Sequence, residues 1–171
     1  DRGEIVGPSG RAKVKHVRMQ VDTVIHECTF EGSLSTGEMV ECALDWNLRY
    51  HHMRLHSAGH IVHEAVMATV VGLTPRKGEH GDKPYIEYQG SIPIDKKYAI
   101  ENHANAIVDK SLTLTAEFVT LEELTKRSSY IPEHLPKHKP LRILTIDGYQ
   151  PIPDGGTQVK TTKEVGTITV G

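Results

Sequence analysis

The sequence predicts an α+β fold in two parts, and three observations carry that expectation. The first 46 residues read as short strands between turn signals. One run, 47–72, carries apolar residues at helical spacing. From residue 73 onward strand and helix patterns alternate. A length of 171 residues suits one ordinary domain, or a compact core with a small appendage, and can bury a core without disulfides or a structural metal. With 37% apolar and 25% charged residues, the composition excludes a disordered chain.

Glu4–Val6, Ala12–Met19, Val21–Cys28 and Glu38–Leu44 alternate apolar and polar residues over part of their length. They are separated by Gly7-Pro8-Ser9-Gly10, Gly32-Ser33 and Gly37. Such closely spaced strands predict a small β-barrel or curled sheet over residues 1–46. The segment is short for a barrel and opens directly on a strand, so native residues are expected before Asp1. In the second part, residues 47–171, Met53, Ala58, Ile61, Val62, Ala65, Val66 and Thr69 mark one face of a long helix, with Gly72 as its stop. Lys77–Asp82 reads as a polar loop and Tyr85-Ile86-Glu87-Tyr88 as a half-buried strand. Asp95 is placed to cap a helix to about Lys110, with Ala99, Ile100, Ala104 and Ile107 on its inner face. Leu112–Val119 is strand-like, and Thr120 with Glu123 forms a capping box for Leu121–Arg127. Ile131–Pro140 holds three prolines and reads as a loop. Leu141–Ile146 and Thr167–Val170 read as strands, with a Gly-rich turn at Asp154-Gly155-Gly156 between them.

Lys and Arg number 20 against 22 Asp and Glu, a formal charge of −2, so a nucleic-acid partner would need a local basic patch. No DNA partner is expected. The chain shows no charged-then-apolar leader and no apolar run near the length of a membrane span. A cytoplasmic protein is expected, with Cys28 and Cys42 reduced and, lacking Cys-x-x-Cys spacing, outside any zinc knuckle. Histidine, with 11 copies, is the compositional outlier.

Two segments carry candidate chemistry. In His56-Ser57-Ala58-Gly59-His60 the histidines are four apart, which on a helix puts both imidazoles on one face, a good pair of ligands for zinc and similar ions. The same spacing also suits a surface histidine cluster or core histidines bonded to the backbone. Gly59 is costly inside a helix, and a close backbone approach is one reason to tolerate it. In Asp154-Gly155-Gly156-Thr157-Gln158 two side chains with oxygen donors are also four apart, around glycines that permit a substrate to approach. By itself this segment reads equally as a hairpin turn.

Together the segments identify a family. Asp45-Trp46 and Arg49–His60 resemble the start of the editing core of alanyl-tRNA synthetases and their free-standing AlaX relatives. Pro151–Gly166 resembles that family's second motif, a Cys-Gly-Gly-Thr-His segment followed by a Thr, a Gly and a final strand. Tyr85–Pro93 and the helix over 95–110 resemble its middle section. The editing domain of threonyl-tRNA synthetase shares the metal-binding pattern. The resemblance implies an editing core of antiparallel sheet with packed helices, preceded by the small β segment. It implies a site for zinc or another divalent transition metal, whose ligands would fall at His56, His60, Asp154 and Gln158. Asp154 stands where the family has Cys and Gln158 where it has His, so the spacing survives and the donor chemistry changes; Gln is a weak, neutral ligand.

The function implied is a metal-dependent esterase acting in trans on mischarged tRNA-Ala, with Ser-tRNA and Gly-tRNA as substrates. Asp154, Gly156 and Thr157 are the expected catalytic positions, Asp154 as ligand or general base and the backbone around Gly155–Gln158 as oxyanion support. Arg49, Arg54 and Lys160 are the expected tRNA contacts, with Lys77, Lys96 and Lys97 as further candidates. The rival reading is a relative that binds tRNA or a synthetase without catalysis, having lost the full metal site. A hydrolase of another small ester is a third.

Overall fold

Antiparallel pairing of the first strands builds a four-stranded sheet in the order β3-β2-β1-β4. Its strands are β1 (Gly3–Gly7), β2 (Gly10–Gln20), β3 (Thr23–Gly32) and β4 (Glu41–Leu44). This is a computed structural model that describes every residue except Asp22, His80, Asp82, Glu133, His134 and Lys137. The chain divides into two compact units, Asp1–His51 and His52–Gly171. In the first unit Gly7 pairs with Gly10 across a tight Pro8-Ser9 turn, and a bulge at Lys15 shifts the β2–β3 register. Ala12 and Val14 are its buried apolar residues. The sheet is open: among the described residues β3 and β4 are its edges and no ladder closes it into a barrel. β4 begins three residues later than the sequence suggests, because a turn bonding the Glu38 amide to the Ser35 carbonyl holds the chain out of the ladder. Both cysteines are free.

The long helix α1 spans Trp46–Thr69 and carries the boundary between the units inside it. The Asp45 carboxylate accepts from the Leu48 amide and caps its first turn. Ser57, Ile61, Ala65 and Val66 form its buried line, and Gly72, at φ +84°, lies just beyond its end. No helix among the described residues is long and apolar enough to cross a membrane.

In the second unit β5 (Thr74–Glu79) pairs with β6 (Tyr85–Gln89). The polar loop expected over Lys77–Asp82 is therefore strand through Glu79, while His80 and Asp82 lie outside the described residues. Cross-strand pairing overrides composition here: Lys77 faces Glu87 in the ladder and donates to the Tyr85 hydroxyl at 3.1 Å. Asp95 does not cap the next helix. It sits inside a 3-10 turn, Ile94–Lys96, that runs directly into α2 (Lys97–Asp109), whose N-cap is Lys96. α2 buries Ile100, Ala104, Ile107 and Val108, while Ala99, expected on that face, is exposed.

β7 (Leu114–Val119), β8 (Leu141–Ile146) and β9 (Ile152–Pro153) form a three-stranded antiparallel sheet. α3 (Leu121–Arg127) starts in the expected capping box: the Thr120 hydroxyl accepts from the Glu123 amide and the Glu123 carboxylate accepts from the Thr120 amide. Val119, Leu124, Leu141 and Ile143 close a core over which Leu121, Ile131 and Leu135 pack. Within the expected 131–140 loop, Glu133, His134 and Lys137 lie outside the described residues.

The expected strand Thr167–Val170 is not one. Its backbone runs against α2, where side chains replace a neighbouring strand. Asn105 donates to the Ile168 carbonyl at 2.8 Å and accepts its amide at 2.9 Å, and the Glu101 carboxylate accepts the Val170 amide. The apolar alternation was real, since Ile168 is buried, but the polar partners come from a helix. Thr162, fully buried, ties the same tail to the end of α2 by donating to the Ile107 carbonyl and accepting from the Leu112 amide.

Candidate metal centre

Helical geometry alone sets the first two donors. His56 and His60, one turn apart on α1, stack with ring centroids 4.9 Å apart and planes 30° apart. The third donor arrives from the tail. β9 pairs with β8, and the ladder continues one step as the Asp154 amide donates to the Arg142 carbonyl. Asp154 Oδ1 then lies 3.1 Å from His56 Nε2 and 3.7 Å from His60 Nε2. One ligand atom from each of the three residues falls within 4.8 Å of the others. The three side chains are only 12%, 12% and 9% exposed. Two imidazoles and a carboxylate, converging and largely shielded from water, suit a divalent transition metal.

Around this trio lies a shell of fixed hydrogen bonds. Gln158 Nε2 donates to Asp154 Oδ2 at 2.9 Å, and Gln158 Oε1 accepts from Ser57 Oγ at 2.7 Å. Ser57 in turn accepts from the Val159 amide. Arg142 Nη1 donates to the carbonyls of Asp154 and Gly156 at 2.9 and 2.8 Å and reaches Asp154 Oδ2 at 3.4 Å. Burial pushes the Asp154 carboxyl up, but hydrogen bonds from His56, His60 and Gln158 outweigh it and hold the group well below the usual carboxylate range. Gly156 packs on the His56 ring so closely that a Cβ there would overlap the imidazole.

Beside His60 opens a cavity of about 260 Å³ whose walls include Gly59, His63, Arg76, Ile86 and Pro153. His63 Nδ1 lies 3.0 Å from the Tyr88 hydroxyl, and the two rings stack within 7° of parallel. Burial, then the neighbouring His60, lowers the His63 pKa.

The remaining sequence candidates are placed as follows. Thr157 is exposed on the turn and Gly156 half-buried. Gln158 lies beside the trio, with its carboxamide oxygen turned to Ser57 and its nitrogen to Asp154. The Arg49 guanidinium pairs with the Asp1 carboxylate. Arg54 donates through Nε and Nη2 to the Val165 carbonyl, at 3.2 and 2.8 Å. Lys160 is exposed. The sequence reading passed over Ser57 and Arg142. Arg142 left a signal as the one charge in the otherwise apolar-rich Leu141–Ile146 run. Ser57 left only its position between two histidines.

The fold and the site together define an α+β protein with a two-histidine, one-carboxylate centre between a helix and a C-terminal turn. No protein-family model matches the chain. The alanyl-tRNA editing protein AlaX-M of Saccharolobus solfataricus is 32% identical over 182 residues, covering 98% of this chain and 73% of that protein. AlaX-L of Pyrococcus horikoshii is 31% identical over 177 residues, covering 99% of this chain and 42% of its own length. The alanine–tRNA ligase of Staphylothermus marinus is 29% identical over 183 residues, with 99% of this chain set against 19% of the ligase. The chain belongs to the AlaX family of alanyl-tRNA editing proteins, which shares this region with the alanine–tRNA ligases.

Proposed function

We propose that this protein is a trans-acting, cytoplasmic aminoacyl-tRNA deacylase that hydrolyses the ester joining serine or glycine to tRNA-Ala. The observation that carries the reading is the convergence of His56, His60 and Asp154 in a chain that aligns from end to end with editing proteins. The three residues would hold zinc or a similar divalent ion through His56 Nε2, His60 Nε2 and Asp154 Oδ1. Such an ion, when bound, supplies Lewis acidity and a water activated near neutral pH.

The chain's own residues do the rest. Gln158 and Arg142 occupy Oδ2, so Asp154 presents one oxygen to the two imidazoles, and its geometry favours a ligand over a general base. Gly156 admits the turn against the His56 ring, and the backbone amides of Gly156 and Thr157 would be the groups that steady an oxyanion there. Residues 47–171 supply the editing core, and the β segment of residues 1–46 is an accessory to it. Lys160, beside the turn in sequence, is the first candidate for a tRNA phosphate contact. Arg54, committed to the Val165 carbonyl, and Arg49, committed to Asp1, contribute to tRNA binding only if those bonds are exchanged.

The test is release of amino acid from Ser-tRNA-Ala, Gly-tRNA-Ala and Ala-tRNA-Ala by zinc-loaded protein. Deacylation of the first two, with the third spared, is expected, and His56→Ala with His60→Ala should lower the rate by about 100-fold or more, as loss of a metal's several kcal/mol of stabilisation does. Binding of tRNA by metal-loaded protein without any hydrolysis would overturn the enzyme reading and establish the non-catalytic module instead.

A further inference from the structure

We infer that Ser57 is a positioning residue: it fixes the carboxamide of Gln158, which turns Asp154 so that Oδ1 alone faces the two histidines. The inference deepens the metal-site reading above and rests on it for its functional meaning. Ser57 lies on α1 between His56 and His60 and is fully buried. Its oxygen accepts from the Val159 amide at 3.1 Å. A backbone amide can only donate, so the Ser57 proton is left for Gln158, whose Oε1 accepts it at 2.7 Å.

An ionised carboxylate only accepts, so the carboxamide meets Asp154 with its nitrogen, and the Ser57 bond anchors its other end. Gln158 must present Nε2, and does so to Asp154 Oδ2 at 2.9 Å. Arg142 reaches the same oxygen from the β8 side and clamps the turn through the carbonyls of Asp154 and Gly156. Both donors of this shell fall on Oδ2. Oδ1 faces His56 and His60. Gln158 is then no ligand, because its only good donor atom toward a metal is directed at Ser57. The protein offers three donor atoms, two nitrogens and one oxygen, and substitutes an oriented carboxylate for the cysteine and histidine that the family resemblance places at these positions. A serine that merely filled space in the helix would leave Gln158 free to rotate and Asp154 Oδ2 held by Arg142 alone.

The experiment titrates Co²⁺ into the 171-residue protein and follows the ligand-field absorption bands, with Zn²⁺ competition as a second measure of affinity. The variants are Ser57→Ala, Gln158→Met and the conservative Ser57→Thr. Ser57→Ala and Gln158→Met should each weaken binding by about 10–100-fold without moving the bands, as loss of an outer-shell partner does. Ser57→Thr should restore affinity to within a few-fold of wild type. Bands that shift in Gln158→Met would make Gln158 a ligand and overturn the inference, as would unchanged affinity in Ser57→Ala. Gln158 is only half-buried, so its variant carries the comparison if Ser57→Ala does not fold. A metal-free readout separates this inference from the reading beneath it: the Gln158 side-chain amide protons, followed by NMR, should resist solvent exchange in wild type and lose that protection in Ser57→Ala. Protected protons in a protein that takes up no Co²⁺ would sink the metal-dependent function and keep the relay. Unprotected protons in the wild-type protein would sink the relay whatever the enzyme does.

Discussion

The two arms of the centre are held by different means. His56 and His60 need only that α1 be a helix; their stacking follows from one turn of local hydrogen bonds. Asp154, Gly156 and Gln158 lie in a segment that is largely irregular after Pro153. Their positions are imposed by Ser57 from α1 and by Arg142 from β8, and further along the tail by Asn105 and Glu101 from α2. The helical arm is therefore robust to single changes, and the tail arm concentrates sensitivity in a few residues far apart in sequence.

The sharpest way to break this asymmetry is Gly156→Val. The new side chain would overlap the His56 ring, and the tail arm, lacking a ladder of its own beyond β9, must move away. Metal affinity should fall by about 100-fold or more while far-ultraviolet circular dichroism stays near wild type. Retention of wild-type affinity in a titration would show that the tail arm is not part of the centre.

Asn105→Ala tests the tail further from the site. The substitution removes three hydrogen bonds and leaves the amide and carbonyl of the buried Ile168 without their partners. A loss of about 2–4 kcal/mol in denaturant unfolding is expected. A change below about 0.5 kcal/mol would mean that water or a shifted backbone replaces the carboxamide readily.

The same contrast explains which features could be read from the sequence. The α1 face, the α3 capping box and the β7 and β8 strands are local patterns, visible in their residues alone. His56 and His60 were legible because a spacing of four means one face only on a helix. Asp154 was legible by resemblance, since Asp-Gly-Gly by itself is a turn. The tail strand was misread because alternation reports which side chains are buried and is silent on whether the backbone partner is a strand or the side chains of a helix. Asp95 was misread because a cap depends on where the turn before the helix begins, and here a 3-10 turn had already begun. Arg142 left only the signal of a lone charge in an apolar strand and Ser57 none beyond its position, since their roles exist only once residues about 100 and 12–14 positions away are brought beside them.

Thr120→Ala is the local control for these long-range changes. It removes a capping box encoded within four residues, at a cost of about 1 kcal/mol. Thr120 is exposed and belongs to α3, so metal affinity should be unchanged when followed by the same titration. A parallel loss of affinity would show that α3 and the centre are coupled through the core beneath them.

The smallest effect falls on the helical arm itself, at Glu64, one turn beyond His60. Burial raises the pKa of its carboxyl above the ordinary value. A raised folded-state pKa favours the protonated form, so its contribution to stability is fully present below the ordinary carboxylate pKa and is lost as pH rises through the folded value. As pH rises above the ordinary value, the folded protein must ionise a half-buried Glu64 that the unfolded chain would hydrate better. Its charge also opposes ionisation of Tyr88 and Tyr149, each already raised by burial. Glu64→Gln should therefore raise the melting temperature of metal-free protein at pH 7, and the gain should shrink toward zero at pH ~3, well below the ordinary carboxylate pKa, where folded and unfolded chains both hold the proton. An equal gain at both pH values would assign the effect to packing rather than charge, and would show that the helical arm carries no electrostatic cost beside the centre.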